Sequence, residues 1–104
     1  MPVTSSFESV RIHTAAGDVT VEATDDIILV NKTVGAATTV NLPLSSSRTR
    51  PVTIVDLKGD ADVNPITIDG SGAEAIVGNT TYVINQQRGS VRIRPIPGSA
   101  GWYI

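Results

Sequence analysis

The chain contains no cysteine, one histidine, one methionine, one tryptophan, two tyrosines and one phenylalanine. The missing thiols exclude disulfides and thiolate metal sites, and they leave the redox state of its compartment unread. Lys and Arg number eight and Asp and Glu ten, for a formal charge of -2. Such a balance supplies no concentrated positive field, so nucleic acid is not an expected partner. No run approaches the ~20 apolar residues that a helix needs to cross a bilayer, and no membrane contact is expected. The N-terminus lacks a basic start followed by an apolar run, so no signal peptide is expected, and the protein is expected to be made in a cytoplasm and to be soluble.

Valine, isoleucine and threonine are frequent instead. They lose χ1 freedom in a helix and pack well on a pleated surface, which points to an all-β domain. The central stretch from Pro51 to Gly72 shows the pattern most plainly. Val52, Ile54 and Asp56 take one face and Thr53, Val55 and Leu57 the other, whereas Ile66, Thr67 and Ile68 alternate cleanly. Ten short runs are read as strands: 10–14, 19–23, 27–31, 38–42, 51–57, 64–69, 75–77, 80–85, 90–96 and 101–104. Turn signals separate them, with Gly17, Gly78 and Gly89 expected to supply positive φ. The longest break, Pro43 to Arg50, allows one short helical turn with a serine cap. Pro95 and Pro97 prevent the penultimate run from being an interior strand throughout. No internal repeat is read. The expected architecture is an N-terminal arm, 1–9, and one all-β domain, 10–104, forming a compact β-sandwich or an interlocked barrel or prism of about eight to ten strands.

Catalytic motifs are weak. His13 alternates with Ile12 and is assigned to a strand's polar face or a subunit contact. No Gly-x-Ser-x-Gly turn accompanies the serines, and the carboxylate sets Asp25 with Asp26, Asp60 with Asp62, and Asp69 with Glu74 have no evident cleft between them. No catalytic residue is assigned and no cofactor is expected. Asp60, Asp62 and Asn64 alternate as the opening ligands of a calcium loop do, but Pro65 follows where that loop needs glycine, so no metal site is assigned and the stretch is read as a turn. The segment Asp69 to Gly72 is likewise read as a tight turn.

Contact residues are more readily named. Arg48 and Arg50, with Asp60 and Asp62, are assigned to partner-contact loops, and the arginines either form a solvated face or pair with carboxylates such as Asp25 or Asp26 of a neighbouring subunit. Arg92 and Arg94 share one face of their strand, beside Arg88 in the preceding turn. Trp102, Tyr103 and Ile104 place large apolar groups at the chain's end, where they either complete the core or pack at a symmetry axis. Phe7 is the candidate anchor of the arm. Ile27 to Val30 and Ile76 with Val77 look apolar on both faces, which points to self-association.

The order of several phrases adds a resemblance: Val21 to Asn31, Thr39 to Pro43, Val52 to Ala61, Asn64 to Ile68, the Gly70-Ser71-Gly72 turn, Thr81 to Asn85, Gly89 to Ile93, and the closing Gly101-Trp102-Tyr103-Ile104. From Val19 onward the chain resembles the small β-rich modules at the ends of bacteriophage tail fibres, spikes and related virion proteins. The resemblance implies a homotrimer with a structural or host-attachment role, located in the virion, in contact with other virion proteins and without enzyme activity. Read as a complete protein with a short leader, the chain is expected to be a spike, decoration or tail-tip component. A host-surface receptor or carbohydrate-binding module is the alternative.

Overall fold

A computed structural model describes residues 8–104, so Phe7, the proposed anchor of the arm, lies outside the described residues. Among them the chain is all-β, with nine strands and one 3-10 turn, Ser45–Ser47. The strands are β1 Val10–His13, β2 Val19–Thr20, β3 Ile27–Val30, β4 Thr38–Asn41, β5 Val52–Asp56, β6 Ile66–Asp69, β7 Thr81–Ile84, β8 Ser90–Pro95 and β9 Trp102–Tyr103.

They form two sheets, in the orders β1-β3-β5-β8-β9 and β2-β4-β6-β7. Up to β6 the chain changes sheet after every strand. Within each sheet the successive strands are parallel, β1 to β3 to β5 and β2 to β4 to β6. Parallel neighbours cannot be joined by a tight hairpin, and here the crossover between them is a strand of the opposite sheet. The backbone is therefore a short coil of stacked turns. Its period is irregular, since Val10 lies beside Ile27 but Ile27 lies beside Thr53, and the sequence accordingly shows no repeat. Antiparallel β7 ends the second sheet, and antiparallel β8 and β9 end the first. Among the described residues neither sheet closes on itself, which sets aside the barrel among the expected forms.

The alternation of β5 and β6 follows the sequence pattern. Val52, Ile54 and Asp56 are buried, as are Ile66 and Ile68. Val52, Ile54, Ile66 and Ile68 meet Ile28 and Val30 of β3, Val40 of β4, Ile84 of β7 and Val91 and Ile93 of β8 in one apolar cluster. Trp102 joins that cluster at 1 % exposure, so of the two places open to the C-terminal aromatic it takes the core. Pro95 lies beyond the β5 ladder and pairs only with Trp102, where a missing donor costs no bond to β5.

Three local expectations fail. The run 75–77 forms bridges rather than a strand: Ile76 is buried against Asn79 and Trp102, while Val77 is exposed with φ 50°. The 3-10 turn is preceded by Leu44 and has no side-chain cap. In the turn before β8 the positive φ belongs to Arg88, at 60°. Gly89 is needed there for close approach, because a Cβ would meet the Ile84 Cγ2 at 2.7 Å.

Buried polar side chains fasten the connections between strands. Asp56, 1 % exposed, accepts backbone N–H groups from Gly59 at 3.0 Å, Ala61 at 2.9 Å and Arg88 at 3.1 Å. The Ser45 hydroxyl donates to Glu74 and accepts from the Gly101 N–H, each at 2.9 Å. Replacing Asp56 by Asn puts an NH2 donor where a carboxylate oxygen now accepts from backbone N–H groups, and a loss of about 1–3 kcal/mol is expected in urea unfolding. Trp102→Ala leaves a core cavity and is expected to cost about 3–5 kcal/mol in the same measurement.

Candidate functional site

The surface that stands out begins with the orientation of β1. In the parallel register Arg11 lies beside Ile28 and His13 beside Val30, both core residues of β3. Side chains level across neighbouring strands share a face, so Arg11 and His13 point inward and Val10 and Ile12 point outward. Val10 is 53 % and Ile12 54 % exposed. Slipping the strand by one residue would reverse this choice, so the apolar residues are held outside by the register itself.

The outward row from Val10 continues through Ile27, Thr53 and Arg92, and the row from Ile12 continues through Leu29, Val55 and Ser90. The outer face of the first sheet is thus apolar across β1, β3 and β5. Its β8 and β9 side is different: Arg92 and Arg94 lie there, with the Arg94 guanidinium 5.9 Å from the centre of the exposed Tyr103 ring. A shallow depression of about 350 Å³ opens at one end of the face, with Ile27, Pro51 and Thr53 among Glu8, Asp26, Arg50 and Arg92. The second sheet has the opposite character. Its outward rows are Thr20, Asn41, Asp69 and Thr81, and Thr39, Thr67 and Val83.

The rim of the depression is tied down within the chain. Asp26 accepts from the Ser9 N–H at 2.9 Å and from Arg50 Nε at 2.8 Å. The Ser9 N–H, and then Arg50, hold the Asp26 carboxyl below its ordinary value. Arg50 also donates to the Ala23 carbonyl at 2.8 Å. The arginine-aspartate pairs weighed between subunits are therefore found inside one chain, because the loop 22–26 lies against both β1 and the segment 48–51. Arg11 likewise donates to Asp25, at 2.6 Å and 3.1 Å.

Arg48 is not a contact residue. It is 8 % exposed, and its guanidinium donates to the carbonyls of Glu22, Asp25, Arg50 and Pro51 at 2.6–3.2 Å. Burial, and then the neighbouring Arg50, lower its pKa. Asp60 is half-buried and accepts from the Asn64 side-chain amide at 2.9 Å, while its carbonyl accepts from Val63 and Asn64, which is the geometry of a turn. Asp62 is exposed beside it. Tyr103 and Ile104 are exposed at 43 % and 51 %, so the terminal cluster divides between a core tryptophan and two surface groups. His13 is half-buried on the inward side of β1, with Nε2 3.2 Å from the Gly17 carbonyl, and so does not lie on an outward polar face. Of the carboxylates weighed for catalysis, Asp25 and Asp26 hold arginines, Asp69 faces outward on β6, and Glu74 is bonded to Ser45.

No family model matches the chain, and no curated protein does.

The outer apolar face joins Leu29 and Val55, from runs read as apolar in the sequence, to Val10 and Ile12, which the sequence does not single out as a surface. Their signal was the alternation of Val10 and Ile12 with Arg11 and His13. It marks two faces without saying which one meets the core.

Asp26 gives this rim a pH dependence. A carboxyl whose folded pKa is lowered contributes stability that is fully present above its unfolded value, about pH 4, and lost as the pH falls through the lower folded value. Asp26→Asn should cost roughly 0.2–1 kcal/mol at neutral pH. Thermal melting of the variant should also fall less steeply between pH 5 and pH 2 than that of the parent.

Proposed function

We propose that this chain is a non-enzymatic structural module that assembles with copies of itself, as a homotrimer, through the outer face of its first sheet. The observation that carries this reading is the orientation of β1. A strand with two apolar and two polar residues turns the apolar pair away from the core, next to Ile27 and Leu29 of β3. An exposed apolar surface of this kind is stabilised when another protein surface covers it. The outward face of the second sheet, rich in threonine, is left to water.

The resemblance to phage tail-fibre and spike modules supports a place in a virion, as a spike, decoration or tail-tip component beside other virion proteins. On this reading the module holds by shape and buried area. Tyr103 favours the alternative, a module that binds a host-surface carbohydrate, since an exposed ring is a stacking platform. The Arg94 guanidinium over that ring competes with a sugar for it, which lowers this second reading.

The native mass in solution tests the proposal. Light scattering on a size-exclusion column at two micromolar concentrations should give three times the chain mass of 10.9 kDa at both. A chain mass at both concentrations would overturn the self-association.

A further inference from the structure

We infer that the partner on the outer face of the first sheet is a second copy set with its rotation axis along the strands, so that the β1 edge of one copy meets the β8 and β9 edge of the next. The inference rests on the self-association reading and adds a direction to it.

Charge supplies the direction. Glu8, exposed, precedes β1 by two residues and lines the outer depression with Ile27, Thr53 and Arg92. It therefore belongs to the outward face, on the β1 side. Arg92 and Arg94 lie on β8 at its other side, while Arg50 on the rim between is bonded to Asp26 within the chain. Their levels also correspond. Val10 is level with Arg92 through Ile27 and Thr53, and β8 runs antiparallel to β5, so stepping back two residues to Glu8 matches stepping forward two to Arg94.

Between the acidic and basic sides lie Val10, Ile12, Ile27, Leu29 and Val55. When copies are related by a cyclic axis parallel to their strands, levels along the strands are kept and left and right edges are brought together. Glu8 of one copy then meets Arg94 and Arg92 of the next, with the apolar rows covered between them. An axis across the strands sets β1 against β1 and reverses the levels along them, which takes Glu8 away from the Arg92 and Arg94 of the next copy. The pairing holds for a three-fold as for a two-fold axis, because each copy offers one acidic and one basic edge.

Charge reversal tests it, with native mass followed over a dilution series. Glu8→Arg and Arg94→Glu are each expected to raise the concentration at which the assembly dissociates by about tenfold or more. The double variant, Glu8→Arg with Arg94→Glu, should return to within about threefold of the parent. Arg94 also packs on Tyr103, so Arg92→Glu, at an exposed position, is measured alone and with Glu8→Arg beside it. Fluorescence of the buried Trp102 reports that each variant keeps its fold. If the parent assembles and the single reversals dissociate no more readily, or the double variants are not restored, the edge pairing is overturned and the self-association stands. A monomeric parent overturns both.

Discussion

The constraint on which the rest of this structure depends is the parallel pairing within both sheets. Each strand from β1 to β5 must leave its sheet for the other before the chain can return to pair again. Every connection between them is then a corner, with backbone groups that no ladder can reach, and buried unpaired groups of this kind are costly. The corners are satisfied by side chains. The Arg48 fork collects four carbonyls from two corner segments, and Asp56 collects three N–H groups from two others. Ser45, Glu74 and Gly101 close a third junction. These groups are buried and charged or polar because of where the chain turns, and their bonds fix loops that would otherwise be free.

The same topology explains the character of β1. A stacked coil buries apolar residues only between turns that have neighbours, and a terminal turn needs a polar covering. Arg11 provides one: from the inward side of β1 it reaches the Thr20 carbonyl on β2 at 2.8 Å and the Asp25 carboxylate, thereby crossing from one sheet to the other over the end of the core. With Arg11 and His13 committed inward, strand alternation leaves Val10 and Ile12 no place except the outer face. Whether that exposure costs or serves depends on what covers it. The matching Ile27 and Leu29 on the next strand give it the continuity of a surface rather than of two stray residues.

Much of the strand content was legible because side-chain alternation is local. Val52, Ile54 and Asp56, or Ile66 and Ile68, declare a face from their spacing alone, and the size of Trp102 declares a need for cover. The pairing was not legible. Parallel and antiparallel partners are chosen by contacts between residues such as Val10 and Ile27, or Ile27 and Thr53, whose offsets follow no fixed period. Without the pairing, a face cannot be assigned to inside or outside, so the alternation of His13 with Ile12 does not say which of the two turns toward the core. Charge misled for a related reason. Arg48 and Asp25 belong on a surface by composition, yet each finds a full set of partners at a corner that only the tertiary fold creates. The candidate face was therefore the least legible part, being a property of register and not of any motif.

Two directions of growth are open to a molecule built this way, and the structure treats them differently. Along the coil, another chain could pair with the edges of β1 and β2 that no described strand pairs, as exposed edge strands invite. The Val21 N–H points to β4, so the Thr20 carbonyl lies on the free edge of β2, and it is this acceptor that Arg11 occupies. A strand arriving there would have to displace a guanidinium held by a buried carboxylate, at the cost of leaving that carboxylate with only the Glu22 N–H. Across the coil, none of the described residues obstructs the outer face of the first sheet in this way; its half-buried and exposed aliphatic groups lose only water when covered. Lateral association leaves every corner bond and both ladders intact, whereas axial addition breaks the covering of the core. For copies that associate as proposed, physical economy thus favours a closed ring around an axis along the strands over an extended filament, and it does so through the same Arg11 that covers the end of the core.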